Sequence, residues 1–162
     1  MKKLLLAIGL TTTVAQVQAQ GDLAVKKFQL NAGLGLSSRG MPVYVGFDYG
    51  ANKHLTVGAE VAYRSYSNAG YNFGITSVGA NANYHFNDIL NIDKNFDFYA
   101  GLNLGYLMWN LPGGYVGDYS SGLGLGAQIG GRYYFNNKLG LNLEFAGGNK
   151  ISGGKFGITV KL

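Results

Sequence analysis

From Ser121 to Gly147 the chain reads SGLGLGAQIGGRYYFNNKLGLNLEFAG and alternates in steps of two. Leu123, Leu125, Ala127, Ile129, Gly131, Tyr133 and Phe135 share one face. Gly122, Gly124, Gly126, Gln128, Gly130, Arg132 and Tyr134 share the other. Beyond Asn136-Asn137-Lys138 the pattern restarts, with Leu139, Leu141, Leu143 and Phe145 on one side and Gly140, Asn142, Glu144 and Ala146 on the other. A period of two predicts strands. The apolar face is nearly unbroken and ends in aromatics, while the polar face is mostly glycine with an Arg, a Gln and a Glu among them. A sheet in water would turn long polar side chains outward and hide its apolar face. A membrane barrel does the reverse, with apolar residues against lipid and polar residues in the lumen. The glycine-rich polar face predicts the second arrangement.

Phe135 and Leu139 share a face, so an odd number of residues must separate them, which predicts the loop Asn136-Asn137-Lys138. Loops of this length usually hold one residue in the left-handed region, a conformation Asn tolerates well. In this register Arg132 faces Asn142 with Glu144 on the diagonal, which predicts an Arg132–Glu144 pair inside the barrel.

The same alternation recurs along the chain. A first strand is predicted over about Lys26 to Ser37, a second over Val43 to Tyr49 and a third over His54 to Tyr66. A fourth covers Phe73 to Phe86 and a fifth Phe96 to Trp109. The sixth and seventh form the hairpin above, and the last runs from Lys155 to Leu162. At the start of the fourth strand Phe73 and Ile75 fall on the inner face, which predicts a bulge or a stretch beyond the membrane. Eight strands is an even number, and each is close to the nine to eleven residues a tilted membrane strand needs. The predicted fold is therefore all-β: an eight-stranded antiparallel up-and-down transmembrane barrel with a polar, side-chain-filled lumen. With both ends in the periplasm, the outer links are Ser38–Pro42, Ser67–Asn72, Leu111–Ser120 and Gly147–Gly154. The periplasmic turns are then Gly50–Lys53, Asn87–Asn95 and Asn136–Lys138. In the long middle turn Ile89, Leu90 and Ile92 are expected to form a helical turn or to cap the barrel end. Phe47, Tyr49, Tyr84, Phe86, Phe96, Phe98, Tyr133 and Phe135 gather at the periplasmic strand ends as an interface girdle.

Composition sharpens this picture. Residues 1–19 read as a signal peptide: Lys2 and Lys3, the apolar run Leu4 to Leu10, then Val17-Gln18-Ala19 as the cleavage site. Residues 20–162 form the barrel domain, placed in the outer membrane. The net charge of +5 falls by the two signal-peptide lysines on cleavage, too mild to suggest nucleic acid. The chain holds no Cys, so disulfides and thiol chemistry are excluded. Beyond the signal no stretch of 18 apolar residues occurs, which excludes helical spans.

The segments DFYAGLNLGY (Asp97 to Tyr106), GAQIGGRYYFNN (Gly126 to Asn137), LNLEFAGG (Leu141 to Gly148) and FGITVKL (Phe156 to Leu162) resemble small outer-membrane β-barrels of the porin-like family common in Bacteroidota. The architecture is similar to the barrels of OmpA and OmpX. The resemblance implies a fold far more than an activity. Proteobacterial barrels usually end in Phe or Trp, whereas this chain ends in Leu162.

Candidate chemistry concentrates on the inner face, where Glu60, Arg64, Asn103, Gln128, Arg132, Asn142, Glu144 and Lys161 are expected to form a lumen polar network. A narrow lumen favours a paired, hydrogen-bonded plug over a selective pore. His54 and His85 fall near periplasmic strand ends, away from any outer-leaflet ester, which argues against a lipid A-modifying enzyme. Two lone histidines lack a third ligand for a metal, and no cofactor is expected. Gly122-x-Gly124-x-Gly126 has no helix after it, and GGNKISGGK departs from the phosphate-loop pattern at Asn149 and Phe156. Trp109, Tyr115, Val116 and Tyr119 suggest a surface-ligand site on the loop Leu111–Ser120 or a lid over the barrel mouth. The expected role is a non-enzymatic scaffold or surface and adhesion-type protein. A narrow channel for small solutes or ions is the first alternative, a lipid A-modifying enzyme the second, and a lipocalin-like soluble barrel is disfavoured by the polar inner face. The partners expected are outer-membrane lipids or lipopolysaccharide and the outer-membrane assembly machinery.

Overall fold

A computed structural model describes residues 23–115, 117 and 119–162, so the expected cleavage after Ala19 lies outside the described residues. Among the described residues eight strands form: β1 (Phe28–Leu36), β2 (Val43–Asn52), β3 (Leu55–Asn68), β4 (Tyr71–His85), β5 (Phe96–Asn110), β6 (Gly122–Tyr134), β7 (Leu139–Gly148) and β8 (Gly153–Lys161). Each pairs antiparallel with its neighbour in the chain, and β1 pairs with β8 to close the cylinder. A short helix, α1 (Asn87–Leu90), lies between β4 and β5. The period of two is what sorts the side chains. Leu102, Leu123, Leu125 and Ile129 lie on the outside at 62–70 % exposure, whereas Gln29, Asp97 and Thr159 lie inside at 0 %. The sheet is thus apolar outside and polar inside.

The seam between β1 and β8 depends on small residues. Gly33 and Gly157 face each other, and a Cβ on either would stand 2.1–2.2 Å from a carbonyl oxygen of the opposite strand. Inside, glycine leaves room for a neighbour's ring: a Cβ on Gly130 would stand 2.3 Å from Tyr99. Rings collect at the barrel end where β1 begins and β8 finishes. Phe28–Tyr49, Phe96–Tyr133 and Tyr84–Phe86 have centroids 4.9–5.2 Å apart, which realises the expected girdle.

Three local expectations need correction. Of the two alternatives for the start of β4, the bulge is absent, because the register with β3 runs unbroken from Val61↔Val78 to Asn68↔Tyr71. Phe73 and Ile75 stay on the inner face and are buried at 1 % and 2 %, since the rings of Tyr66, Trp109, Tyr115 and Tyr119 pack around Phe73 at the far end of the lumen. The link Ser67–Asn72 contracts to Ala69-Gly70, both at positive φ (50° and 81°), a tight hairpin turn whose twist matches the strands. The turn Asn136-Asn137-Lys138 holds no left-handed residue. Asn136 acts instead through its side chain, whose Oδ1 accepts from the N–H groups of Lys138 and Leu139 at 2.9 Å.

The link between β4 and β5 carries the helical turn α1, but Ile89 and Leu90 are exposed and cap nothing. Asn87 ties this link to β5. Its Nδ2 donates to the Phe96 carbonyl (2.6 Å) and its Oδ1 accepts from Phe98 N–H (3.0 Å). A hydrogen bond from Lys53 (2.5 Å) holds the exposed Asp88 carboxyl below its usual range.

Ala69 is an L-residue in the left-handed region, a placement that costs about 1 kcal/mol and that glycine avoids. Ala69→Gly should therefore stabilise the barrel by up to ~1 kcal/mol, read as a shifted urea midpoint in detergent micelles.

Candidate functional site

The lumen is built in layers, and Arg132 is the centre of the lowest one. Its inner-face position on β6 sets it opposite Asp97 on β5, and the curvature of the wall brings Asp48 of β2 to it across the lumen. Nη1 donates to Asp97 Oδ2 at 2.9 Å and Nη2 donates to Asp48 Oδ2 at 2.6 Å. All three residues are nearly sealed, at 4 %, 0 % and 3 % exposure. The guanidinium also lies 4.4 Å from the centre of the Tyr99 ring. Asn31 Nδ2 donates to the same Asp48 oxygen (2.9 Å), and Thr159 Oγ1 donates to Asn31 (2.8 Å). Tyr134 donates to Gln29 (2.5 Å) and carries the Lys161 ammonium over its ring at 3.7 Å. A charge this deep survives only with partners on every side.

The expected Arg132–Glu144 pair does not form. Arg132 does face Asn142, as the hairpin register requires, but Glu144 turns to Lys155, its direct partner on β8. Lys155 Nζ lies 2.7 Å from both Glu144 and Glu60, which joins β7, β8 and β3 through one ammonium. Tyr99 donates to the second oxygen of Glu144 at 2.8 Å. A diagonal pair within one hairpin loses here to two cations that each bridge a pair of carboxylates around and across the cylinder.

The remaining expected residues are placed as follows. Asn142 Nδ2 donates to the Tyr44 hydroxyl across the lumen at 2.8 Å. Asn103 Nδ2 donates to Gln128 (3.0 Å), which in turn donates to Asn83 (2.7 Å). Arg64 stands apart from these layers, toward the far end, where Nη1 donates to Ser37 at 3.0 Å. Sequence reasoning passed over Asp48, Asp97, Tyr99 and Lys155, although alternation puts each of them on the inner face. The missing information was register across long links: the loop 111–121 hides the fact that Asp97 and Arg132 are direct neighbours.

His85 has a hydroxyl on one side and a carboxylate on the other. Nδ1 lies 2.6 Å from Asp97 Oδ1 and Nε2 lies 2.9 Å from Thr56 Oγ1. An ionised Asp97 can only accept, so Nδ1 carries the proton, and in the neutral ring Nε2 accepts from Thr56. The order hydroxyl, imidazole, carboxylate is that of a nucleophilic site. However, Thr56 is 1 % exposed and His85 2 %, so no substrate atom reaches the hydroxyl, and Asp97 is shared with Arg132. The trio reads as one arm of the clamp. His54 sits elsewhere, stacked on Tyr84 and 3.7 Å from Asp88.

Above the Lys155 layer the lumen opens into a chamber of about 110 Å³, bordered by Ile75, Leu107, Arg64, Lys150 and Ile151. Below that layer the free space shrinks to about 10 Å³, room for about one water. The loop over the mouth turns its rings inward. Tyr119 stacks on Trp109 at 4.3 Å and Tyr115 meets Phe73 edge-on at 4.9 Å. Val116 lies outside the described residues.

No family model matches the chain, and no curated protein sequence matches it. Solved structures do match. Neisserial surface protein A (NspA) aligns at 19 % identity over 84 % of this chain and 95 % of that one, with a TM-score of 0.60. The outer membrane protein OprG from Pseudomonas aeruginosa aligns at 11 % identity over 90 % and 99 %, also at 0.60. A de novo designed transmembrane β-barrel aligns at 17 % identity over 86 % and 98 %, at 0.54. The fold is that of the small outer-membrane β-barrels. A narrower kinship with barrels of Bacteroidota finds no support in these structures.

Truncating Arg132 strands two buried carboxylates. Arg132→Met should destabilise the barrel by ~3–5 kcal/mol in urea titrations, while Arg39→Met at the exposed rim should change stability by less than about 1 kcal/mol.

Proposed function

We propose that the chain is an integral outer-membrane barrel serving as a non-enzymatic scaffold or surface protein, its lumen held shut by charge pairing. The observation that carries this reading is the clamp Asp48–Arg132–Asp97, which spans the lumen where the free space falls to about 10 Å³. The location rests on the exterior, where a continuous belt of exposed Leu, Ile, Val and Phe ends in an aromatic girdle. Such a belt is unfavourable in water and fits hydrocarbon. In this placement the turns at residues 53–54, 86–95 and 135–138 are periplasmic and the far-end loops face outward. The acyl chains of outer-membrane lipids or lipopolysaccharide cover the belt, and the outer-membrane assembly machinery inserts the chain. The loop Leu111–Ser120 is the candidate for a surface ligand, offering its backbone and polar tips while its tyrosine rings pack beneath.

Refolded protein in planar bilayers is expected to give no discrete conductance. Regular channel openings would favour the narrow-channel reading instead. Incubation with lipid A is expected to leave its mass unchanged, and a shift by an acyl chain would favour the enzyme reading. Leu125→Arg should cost ~2–4 kcal/mol in liposomes if the belt faces hydrocarbon. A change below about 0.5 kcal/mol, as at an ordinary wetted surface, would remove the membrane assignment.

A further inference from the structure

The two halves of the lumen treat their cations differently. In the layers near the termini, Arg132 and Lys155 each meet two carboxylates. In the far half, Arg64 donates to the neutral hydroxyl of Ser37, and among the described residues no carboxylate stands within 4 Å of its guanidinium. Its Nε is buried without a hydrogen-bond partner. Lys150, from the loop between β7 and β8, crosses the inner face of Gly122, and its contact is the Ser120 carbonyl rather than an acid. Both cations border the same chamber of about 110 Å³. The chamber's walls are mixed: Ile75 and Leu107, buried at 2 % and 7 %, give it an apolar side, while Ser77, Asn81, Asn103 and Gln128 line it with neutral polar groups. The Ile151 side chain enters the lumen against Gly105 and Gly124, where a Cβ would stand 2.7–2.9 Å from it. Glu60, the carboxylate on the chamber floor, is already engaged by Lys155.

A buried N–H donor without an acceptor, on a cation with no carboxylate beside it among the described residues, in a half-enclosed space lined by apolar side chains and neutral polar groups, calls for an anion with an apolar body. We propose that the far half of the lumen is a dead-end binding site for a small organic carboxylate. Arg64 holds the carboxylate by paired N–H donors, Lys150 adds the second positive charge, and Ile75, Leu107 and Ile151 enclose the apolar part. A carboxylate fits because the guanidinium fork matches its two oxygens in one plane. A molecule the size of a substituted benzoate suits the volume. The chamber ends at the Lys155 layer, so the site holds its ligand without passing it through, and binding there is tested separately from conductance.

The test uses the refolded barrel in lipid nanodiscs, with 4-fluorobenzoate as probe, uncharged 4-fluorobenzamide as control, and empty nanodiscs as baseline. Fluorine NMR line broadening reads binding. Saturable binding of the benzoate is expected, with the benzamide indistinguishable from baseline. Arg64→Gln should weaken binding by at least about tenfold, the loss of a charged hydrogen-bonded contact. Ile151→Trp, which fills the chamber and keeps both cations, should weaken it to a similar extent. Heat-modifiable mobility on gels establishes that each variant is folded, and Lys150→Gln replaces Arg64→Gln if the latter fails to fold. Absence of saturable binding, equal binding of the benzamide, or loss in the charge variant without loss in Ile151→Trp would each overturn the proposal.

Discussion

A guanidinium fixed between two carboxylates inside a closed cylinder is the interaction on which the rest of this structure depends. A side chain on the inner face of a barrel cannot rotate out to water, because the wall is a continuous hydrogen-bonded sheet. Every charge placed there must find its partner within the lumen or carry a desolvation cost of several kcal/mol. Arg132 meets Asp97 from the adjacent strand and Asp48 from across the barrel, so one residue ties together walls that are far apart in the chain. The polar residues around it follow from the same constraint. Asn31 satisfies the shared Asp48 oxygen, His85 satisfies the second Asp97 oxygen, and Thr56 satisfies the far nitrogen of His85.

Glycine makes these layers possible. A narrow cylinder cannot hold large side chains from every strand at one height. Tyr99 reaches Glu144 because Gly130 leaves the space its ring occupies, and Ile151 enters the lumen over Gly105 and Gly124. The inner face that looks featureless in the sequence, a run of glycines broken by an occasional Gln or Arg, is thus one half of a set of complementary shapes. The other half comes from strands elsewhere in the chain.

The lumen is not uniform along its axis. Near the termini, charges are paired, rings are stacked and the space left is that of a single water. Beyond Lys155 apolar side chains join the neutral polar ones on the wall, the cations have no carboxylate beside them among the described residues, and a chamber opens beneath a lid of tyrosine and tryptophan. The hydroxyl–imidazole–carboxylate trio lies in the closed half, which is why an arrangement with the chemistry of a catalytic site serves structure here: reactivity needs access, and burial removes it.

Alternation alone determined the strand number, the inside-out sorting of side chains, and the register of the β6–β7 hairpin down to Arg132 facing Asn142. Those features are local: a period of two and a tight turn are properties of consecutive residues. Which inner-face groups meet was decided by the tertiary structure. Pairing Asp97 with Arg132 requires the register across a long loop, and pairing Asp48 with Arg132 or Glu60 with Lys155 requires the curvature and closure of the whole sheet. The Arg132–Glu144 expectation failed for that reason, since a flat hairpin offers Arg132 a single acid and a closed cylinder offers two better ones. Likewise Phe73 and Ile75 looked misplaced until the mouth of the barrel, covered by rings from other strands and a distant loop, gave the inner face an apolar floor for them to join.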